Sequence, residues 1–569
     1  MTHSWYLGID FSTSGMAARL RDCQQGESYP LYWLSSDGSE SRFWVLPMGL
    51  EIGKQGRKKQ ILSSTNAFTP PPYYFRGAVP CYNRQLGQWE PRFCGTEGAV
   101  FSLQAIAQEL QALFATFNPS QKTPYRLEAV GLPEHYLKSA LLALEGVILS
   151  CSVAWGDTYR FNLREAILGA QLLDTPDRIF FLEEAIAIGL GILGEEGSSK
   201  TEQLTPYPLI SSSSRVPNGT LIVQGGKITT ESALVSGTQL EHLTREDWAL
   251  RGLEYGEIDL YQDVFYQLLY PQWLPEQEFV QCLNLEIPPP GEPDRPKRDR
   301  AAVTLQNSPE GQSLLETAKR VVLILQKQEA FSTHLGHQEW GVTRSQFQEK
   351  IIEPLWENLN RQINELLSQK GENPRAIARV FCSGEMLALI LPFLQSRLSA
   401  KFPQAEIVLL QNNNDNHLMA MGLSRLPLFP QMLDRLRHQY SDYFLLAELL
   451  QGFPDRPLSL EQIMKSLERR GIPRACLWRI LPFLTGQLPQ GLIPSPEARV
   501  RMEAKSQEFL PYPAIASAPL FTPQPPLYHP NDKQGKRLQK YFSFILATSS
   551  QKFNDPLAVN FSIFESLKL

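Results

Sequence analysis

Apolar and polar positions along the chain fall into two rhythms. Short continuous apolar runs that stop at small or polar residues predict buried strands. They occur at residues 5–10 (WYLGID, then a small-residue turn and a second run, MAARL), at 127–132 before Pro133, at 221–224 (then GGKITTES and a return run at 233–235), and at 378–382 before SGEML. Helical spacing lies between them. Residues 101–117 place Leu103, Ile106, Leu110, Leu113 and Phe114 on one face, and 163–173, 183–193 and 314–328 read as further helices. Residues 343–367 open with Thr343-x-x-Gln346, a capping-box spelling, and carry one interior proline, Pro354. Strands alternating with long helices predict an α/β fold.

Three stretches carry neither rhythm. Residues 195–219 are rich in Ser, Thr, Gly and Pro. Residues 287–300 (IPPPGEPDRPKRDR) are expected to be a loop, because proline lacks the amide donor. Residues 508–532 read as an extended proline-rich linker. Residues 430–500 are nearly all helical in pattern, a compact module of winged-helix kind with Ser459 as N-cap and Gly471 as stop. Leu446, Leu449, Ile463, Leu467 and Trp478 would either form its core or present a surface to a protein partner. Residues 541–545 and 559–567 are expected to pair as strands or to dock on the core. The division that follows is 1–194, a first lobe; 195–219, a loop; 220–426, a second lobe; 430–500, the helical module; and 501–569, a proline-rich linker and tail.

Composition narrows the chemistry. The net charge is -5 and the longest basic run is KQGRKK at 54–59, so nucleic acid is not an expected partner. No segment approaches the ~20 apolar residues that cross a bilayer, so no membrane partner is expected either. The chain starts directly on a strand-like run. Its seven cysteines form no CxxC pair, and its eight histidines show no HExxH spacing. Reduced thiols in a cytoplasm, without a protein-built zinc site, are the expectation.

Candidate chemistry sits in two hairpins. In Gly8-Ile9-Asp10-Phe11-Ser12-Thr13-Ser14-Gly15, a buried strand ends in an aspartate and a tight turn of small residues. Backbone amides of such a turn can point at a phosphate. Ser12, Thr13 and Ser14 could donate hydroxyls, and Asp10 could hold magnesium through water. The same physics returns in VQGGKITTESALV, with Gly225, Gly226, Lys227, Thr229 and Thr230 in the turn. Two such hairpins suggest two similar halves closing on one nucleotide.

The order of segments resembles the nucleotide-binding domain of DnaK-type, seventy-kilodalton heat-shock chaperones. GIDFSTSG resembles their first phosphate loop and LIVQGGKITTESALV their second. VGLPEHY, RIFFLEEAIAIGLGIL, YGEIDLYQDVF, LLETAKRVVLIL, RVFCSGEMLALILPFL and NDNHLMAMGLSRL resemble their later motifs, collinearly over residues 4–426. The resemblance implies an actin-like, two-lobed fold of duplicated ribonuclease-H-like lobes. It implies ATP or ADP with Mg2+ as cofactor and adenine nucleotide as partner. Contacts would come from Asp10, Ser12, Thr13, Ser14, Gly225, Gly226, Lys227, Thr229, Thr230, Gly256, Glu316, Lys319, Ser383, Gly384 and Glu385. Asp10, Glu183 and Glu231 are its candidates for catalysis, and Asp10 for the metal.

Departures from the pattern weaken the hydrolytic side. The family's leading aspartate of the second loop falls on Gln224, and two of its glycines on Lys227 and Ile228. Ser12 replaces a glycine, Tyr255 stands at a glycine near the γ-phosphate, and no lysine matches the catalytic one. Phosphoryl transfer depends on positioning and charge stabilisation, so weak or absent hydrolysis is expected. No peptide-binding β-sandwich follows residue 426. The first expectation is a divergent DnaK-like switch that binds nucleotide between lobes. The alternatives are a pseudo-enzyme scaffold and, ranked last, a carbohydrate kinase, whose GIDFGTSG loop GIDFSTSG also resembles.

Overall fold

A computed structural model describes residues 3–12, 15–35, 41–47, 71–94, 100–192, 219–236, 242–272, 286–306, 309–335, 338–411 and 417–561. The chain is mixed α/β, as the alternation of runs predicts. In the first lobe, β1 (Trp5–Phe11), β2 (Met16–Asp22) and β3 (Glu27–Ser35) form an antiparallel meander. β4 (Tyr125–Ala129) pairs with the outer edge of β3. β5 (Leu144–Cys151) and β6 (Ile179–Glu183) add in parallel on the other side of β1. All seven residues of β1 are buried, which is why WYLGIDF is a continuous run rather than an alternating one. Helices α1 (Pro71–Gly77), α2 (Leu103–Phe114), α3 (Asp157–Gly169) and α4 (Glu184–Ile192) belong to this lobe.

A second sheet repeats the meander with parallel additions. β7 (Thr220–Gly225), β8 (Thr230–Val235) and β9 (Trp248–Leu253) form the meander. β10 (Arg379–Ser383) and β11 (Glu406–Leu409) run parallel to β7 on its free side. The two sheets therefore share one five-strand order, β3-β2-β1-β5-β6 and β9-β8-β7-β10-β11, to which the first sheet adds strands outside β3, and each candidate hairpin joins the first strand to the second. The helices are α5 (Glu257–Val264), α6 (Arg295–Gln306), α7 (Pro309–Leu325), α8 (Glu353–Lys370), α9 (Glu385–Lys401) and α10 (Leu418–Arg425). The Thr343–Gln346 capping box forms as expected. The expected loop at 287–300 is shorter than predicted. α6 starts at Arg295, because Pro296 occupies a first-turn position where no amide donor is required.

α10 lies across α4 and β1 at close range. Any Cβ at Gly422 would overlap the carbonyl of Ala187, and one at Gly8 would overlap the backbone of Ser424. Glycine is required at both positions for this approach.

The C-terminal part departs most from expectation. α11 (Arg435–Gln439) leads into α12 (Asp442–Gln451), β12 (Leu458–Ser459), α13 (Leu460–Glu468) and α14 (Leu477–Leu484). Residues 508–532 are not an extended linker, and 501–569 is not a tail. α15 (Pro496–Arg501) is followed by a helix at Pro511–Ala516, the hairpin of β13 (Phe521–Gln524) and β14 (Leu527–Pro530), and α16 (Asp532–Leu546). Proline starts two of these helices, where it is tolerated, Pro513 falls in the first turn of one of them, and Pro523, Pro525, Pro526 and Pro530 fall in the hairpin. β12 pairs with β14, so the hairpin closes back on the helical module, although three further helices separate it from α14. Residues 541–545 lie in α16 and do not form a strand; Phe561 docks on Tyr6 and Phe180 of the first lobe. Among the described residues no helix is long and apolar enough to cross a membrane.

Candidate functional site

β1 carries Asp10 to its C-terminal end, next to Ser150 of the parallel neighbour β5. The Ser150 hydroxyl donates to Asp10 Oδ1 at 2.9 Å and accepts from the amide of Phe11 at 3.3 Å. His417 Nε2 stands 3.6 Å from Asp10 Oδ2. Burial raises the Asp10 carboxyl above its ordinary range, His417 and Ser150 oppose the rise, and Glu385 adds to it. The turn closes through the Ser12 amide, which donates to Gly15 O at 3.0 Å. Thr13 and Ser14 lie outside the described residues.

The second turn closes through the Gly226 amide, which donates to Thr229 O at 2.9 Å. Its carbonyls do not face a ligand. Gly226 O accepts from the amide of Glu257 at 3.0 Å, and Lys227 O from that of Ile258 at 3.1 Å. These are first-turn amides of α5, the groups that bind anions at a free helix N-terminus. The Gly256 amide donates to Asp259 Oδ2 at 2.9 Å, and the Thr230 hydroxyl to Tyr255 O at 2.8 Å. Gly256 is pressed onto Lys227 and Ile228 without room for a Cβ. Ile228 is 4% exposed and joins the apolar cluster that contains Phe11, Trp155 and Tyr159 of the first lobe. The turn is thus packed into the opposite lobe.

Glu231 deepens this contact. It is fully buried at the start of β8; its Oε2 accepts from Val153 N at 2.7 Å and its Oε1 from Ala185 N at 2.9 Å. Both donors belong to the first lobe. Burial raises its pKa to about 7, against the lowering effect of the two amides. Ser383 pairs in register with Gln224, whose Oε1 is buried without a partner among the described residues. Gly384, at φ +92, lies against Gly225 O, a left-handed position with no space for a side chain. Glu385 follows at the exposed start of α9.

The structure therefore gathers Asp10, Glu231 and Glu385 with a residue the sequence did not single out. Glu184, in the first turn of α4, has its carboxyl raised well above the ordinary range by burial, then by the charges of Glu231, Asp10 and Glu385. Glu183 stands beside this group, its charge adding to the rise at Glu231, but it is itself paired with Arg245 at 2.9 Å. Burial raises its carboxyl, but Arg245 and Arg160 outweigh that and hold it below the usual range. The strand end at Glu183 sends successive side chains to opposite sides, so the adjacent Glu-Glu pair was the available signal for Glu184. Glu316 and Lys319 are exposed on α7. The charge of Glu316 reaches Tyr261, together with those of Glu257 and Glu385.

Further contacts hold the lobes together. Arg76 of α1, 5% exposed, pairs with Glu254, beside Tyr255 and Gly256. Tyr73 donates to Asp299 of α6, and Arg501 of α15 lies 3.8 Å from Asp299 and over the Tyr73 ring. Arg76 is a buried cation in the stretch where no lysine could be matched, and its signal was one arginine in the aromatic helix PPYYFRG.

These residues make a carboxylate-rich junction whose backbone donors are largely bonded within the protein. Among the described residues, no group of three or more His, Cys, Asp or Glu side chains is arranged to hold a metal ion. A phosphate chain with Mg2+ does not fit this arrangement. The turn is filled by Ile228, the α5 amides are bonded to carbonyls, and the nearby side chains are mainly acidic. No family model and no characterised protein sequence matches this chain.

Proposed function

We propose that this chain is an actin-like, two-lobed pseudo-enzyme that serves as an interaction scaffold, with its former nucleotide cleft closed by protein side chains. The duplicated strand order of the two sheets supports the actin-like reading, since each lobe repeats a three-strand meander with two parallel additions. The observation that carries the scaffold reading is Ile228, buried in the first lobe's apolar cluster where a phosphate loop would keep glycine. Glu231 and the Arg76–Glu254 pair hold the same closed arrangement.

The C-terminal helical module is where a protein partner would bind. Leu446, Leu449, Ile463 and Leu467 are its core. Trp478 is 64% exposed and Leu481 is 37% exposed, three residues apart on α14. The outer face of that helix is apolar rather than basic, which suits protein better than nucleic acid.

Thermal unfolding with and without millimolar Mg-ATP tests the reading, because a ligand that binds only the folded state raises its midpoint. No shift is expected for the natural chain. A triple variant, Gln224→Asp, Lys227→Gly and Ile228→Gly, restores the shape of a phosphate loop. It is expected to lose about 2–5 kcal/mol of stability from the emptied apolar site. A midpoint shift of several degrees in the unaltered chain would overturn the proposal and favour the second reading, a divergent chaperone-like switch that binds adenine nucleotide between its lobes. The close approach of Gly384 to Gly225, with Asp10 nearby, is the observation that favours that alternative.

A further inference from the structure

A second buried charge cluster lies between the first lobe and the C-terminal module, away from the inter-lobe junction. Arg160, Arg164, Phe181, Glu183, Asp434, Arg437 and His438 line a small pocket there. Its space suits about one water-sized or halide-sized particle. Both carboxylates are already engaged. Glu183 is bound by Arg245 at 2.9 Å, and Asp434 accepts from the Arg437 amide at 2.9 Å as the N-cap of α11. Arg160 and Arg437 share Asp157, at 3.0 and 3.1 Å.

Among the described residues, Arg164 has no such partner. It is 3% exposed, its guanidinium lies 4.9 Å from the centre of the Phe181 ring, and its Nε is buried without a hydrogen bond. Burial holds its pKa down to about 10, low for a guanidinium. His438 does not compensate: burial and the charge of Arg164 push its pKa down to about 3, so it is neutral at physiological pH. Of the three guanidiniums that line the pocket, Arg160 and Arg437 are paired with Asp157, and Arg164 is the one that no carboxylate of the described residues contacts directly. An isolated buried charge is costly, and structures pair it or bind a counter-ion.

We propose that this pocket binds a compact monovalent anion of the chloride class, held by Arg164 with Arg160 and Arg437, and that the ion helps fix the C-terminal module on the first lobe. Phosphate, or the end of a carboxylate ligand, offers related chemistry in a larger body.

Thermal unfolding of the full chain tests this in sodium salts of chloride, acetate, phosphate and gluconate at matched ionic strength. Chloride is expected to raise the midpoint saturably over gluconate, and Arg164→Gln to abolish that rise. Arg164→Gln should also be at least as stable as the natural chain in gluconate, since it removes the uncompensated charge. Arg164→Lys keeps the charge without the planar fork, so a weakened chloride response is expected; it carries the test should the glutamine variant not fold. Equal chloride responses in the natural chain and both variants, or no response, would mean the pocket holds only water, and the proposal falls. A larger rise with phosphate or acetate, lost in Arg164→Gln, would overturn the assignment to a halide.

Discussion

Toward the second lobe, the first lobe presents Asp10 and Glu184 to Glu231 and Glu385, and burial raises the carboxyl groups of Asp10, Glu184 and Glu231. Toward the C-terminal module it presents Asp157, which receives Arg160, Arg437 and Arg479 at 3.0, 3.1 and 2.8 Å and is held well below the usual carboxylate range. Burial acts on Asp157 in the same upward direction, but the three arginines and the Asp442 amide outweigh it. One junction opposes ionisation and the other requires it. Burial alone does not decide the charge state of a carboxyl group; the charges packed around it do.

The largest effect is expected at the ionic junction. Asp157→Asn leaves Arg160, Arg437 and Arg479 without their common carboxylate, although Asp442 still pairs with Arg479. Breaking a buried pair by removing one partner typically costs about 3–5 kcal/mol. Urea unfolding of the variant should show a loss of that size at pH 7. Because the folded pKa of Asp157 lies below its unfolded value, the stability it provides is present above the unfolded value, near pH 4. It is lost as pH falls through the folded one. A loss under 1 kcal/mol would mean that the module is held by apolar packing alone.

The acidic junction should respond to pH in the opposite sense. Glu231 has a folded pKa of about 7 against an ordinary value of 4.5, so the folded state binds the proton more tightly than the unfolded chain. Its contribution is fully present below the unfolded pKa and is lost as pH rises through about 7. Across that window the natural chain should lose up to about 3 kcal/mol, discounted by coupling to Glu184. Glu231→Gln should flatten the slope while costing about 1–2 kcal/mol, since the amide oxygen can accept from only one of the two backbone donors. Urea midpoints at a series of pH values would measure it. An unchanged slope in the variant would place the titration on Asp10 or Glu184 instead.

How legible these features were depended on how local their causes are. The strand-turn-strand at β1–β2 and that at β7–β8 were readable because a buried run, small turn residues and a return run sit together. β5 was passed over, because its run, LEGVILSC, continues an apolar helix (Glu134–Leu142) with no proline or glycine stop until it has begun. Proline misled twice, at α6 and in the C-terminal part, where its cost depends on position within an element rather than on its frequency. The partner of Glu231 could not be read at all. Val153 and Ala185 are distant in sequence and contribute only backbone amides, which carry no residue signature. Arg164 was equally silent: an arginine one helical turn after Arg160 declares itself only when the surrounding carboxylates are seen to belong to other residues.

The smallest expected effect sharpens the contrast at the outer side of the module. Trp478 and Leu467 were grouped together from sequence, yet Leu467 is 3% exposed and Trp478 is 64% exposed. Leu467→Ala should cost about 2–5 kcal/mol, as core truncations do. Trp478→Ala should change unfolding free energy by less than about 0.5 kcal/mol, as surface substitutions do, apart from its contact with the Arg479 guanidinium. Urea unfolding of the two variants side by side measures the difference. A tryptophan left in water without a stability role is a costly exposure unless something covers it, so a neutral result would strengthen the case that this face binds a partner. A loss approaching that of Leu467→Ala would mean that Trp478 is part of the module's own packing, and the proposed partner surface would lose its anchor.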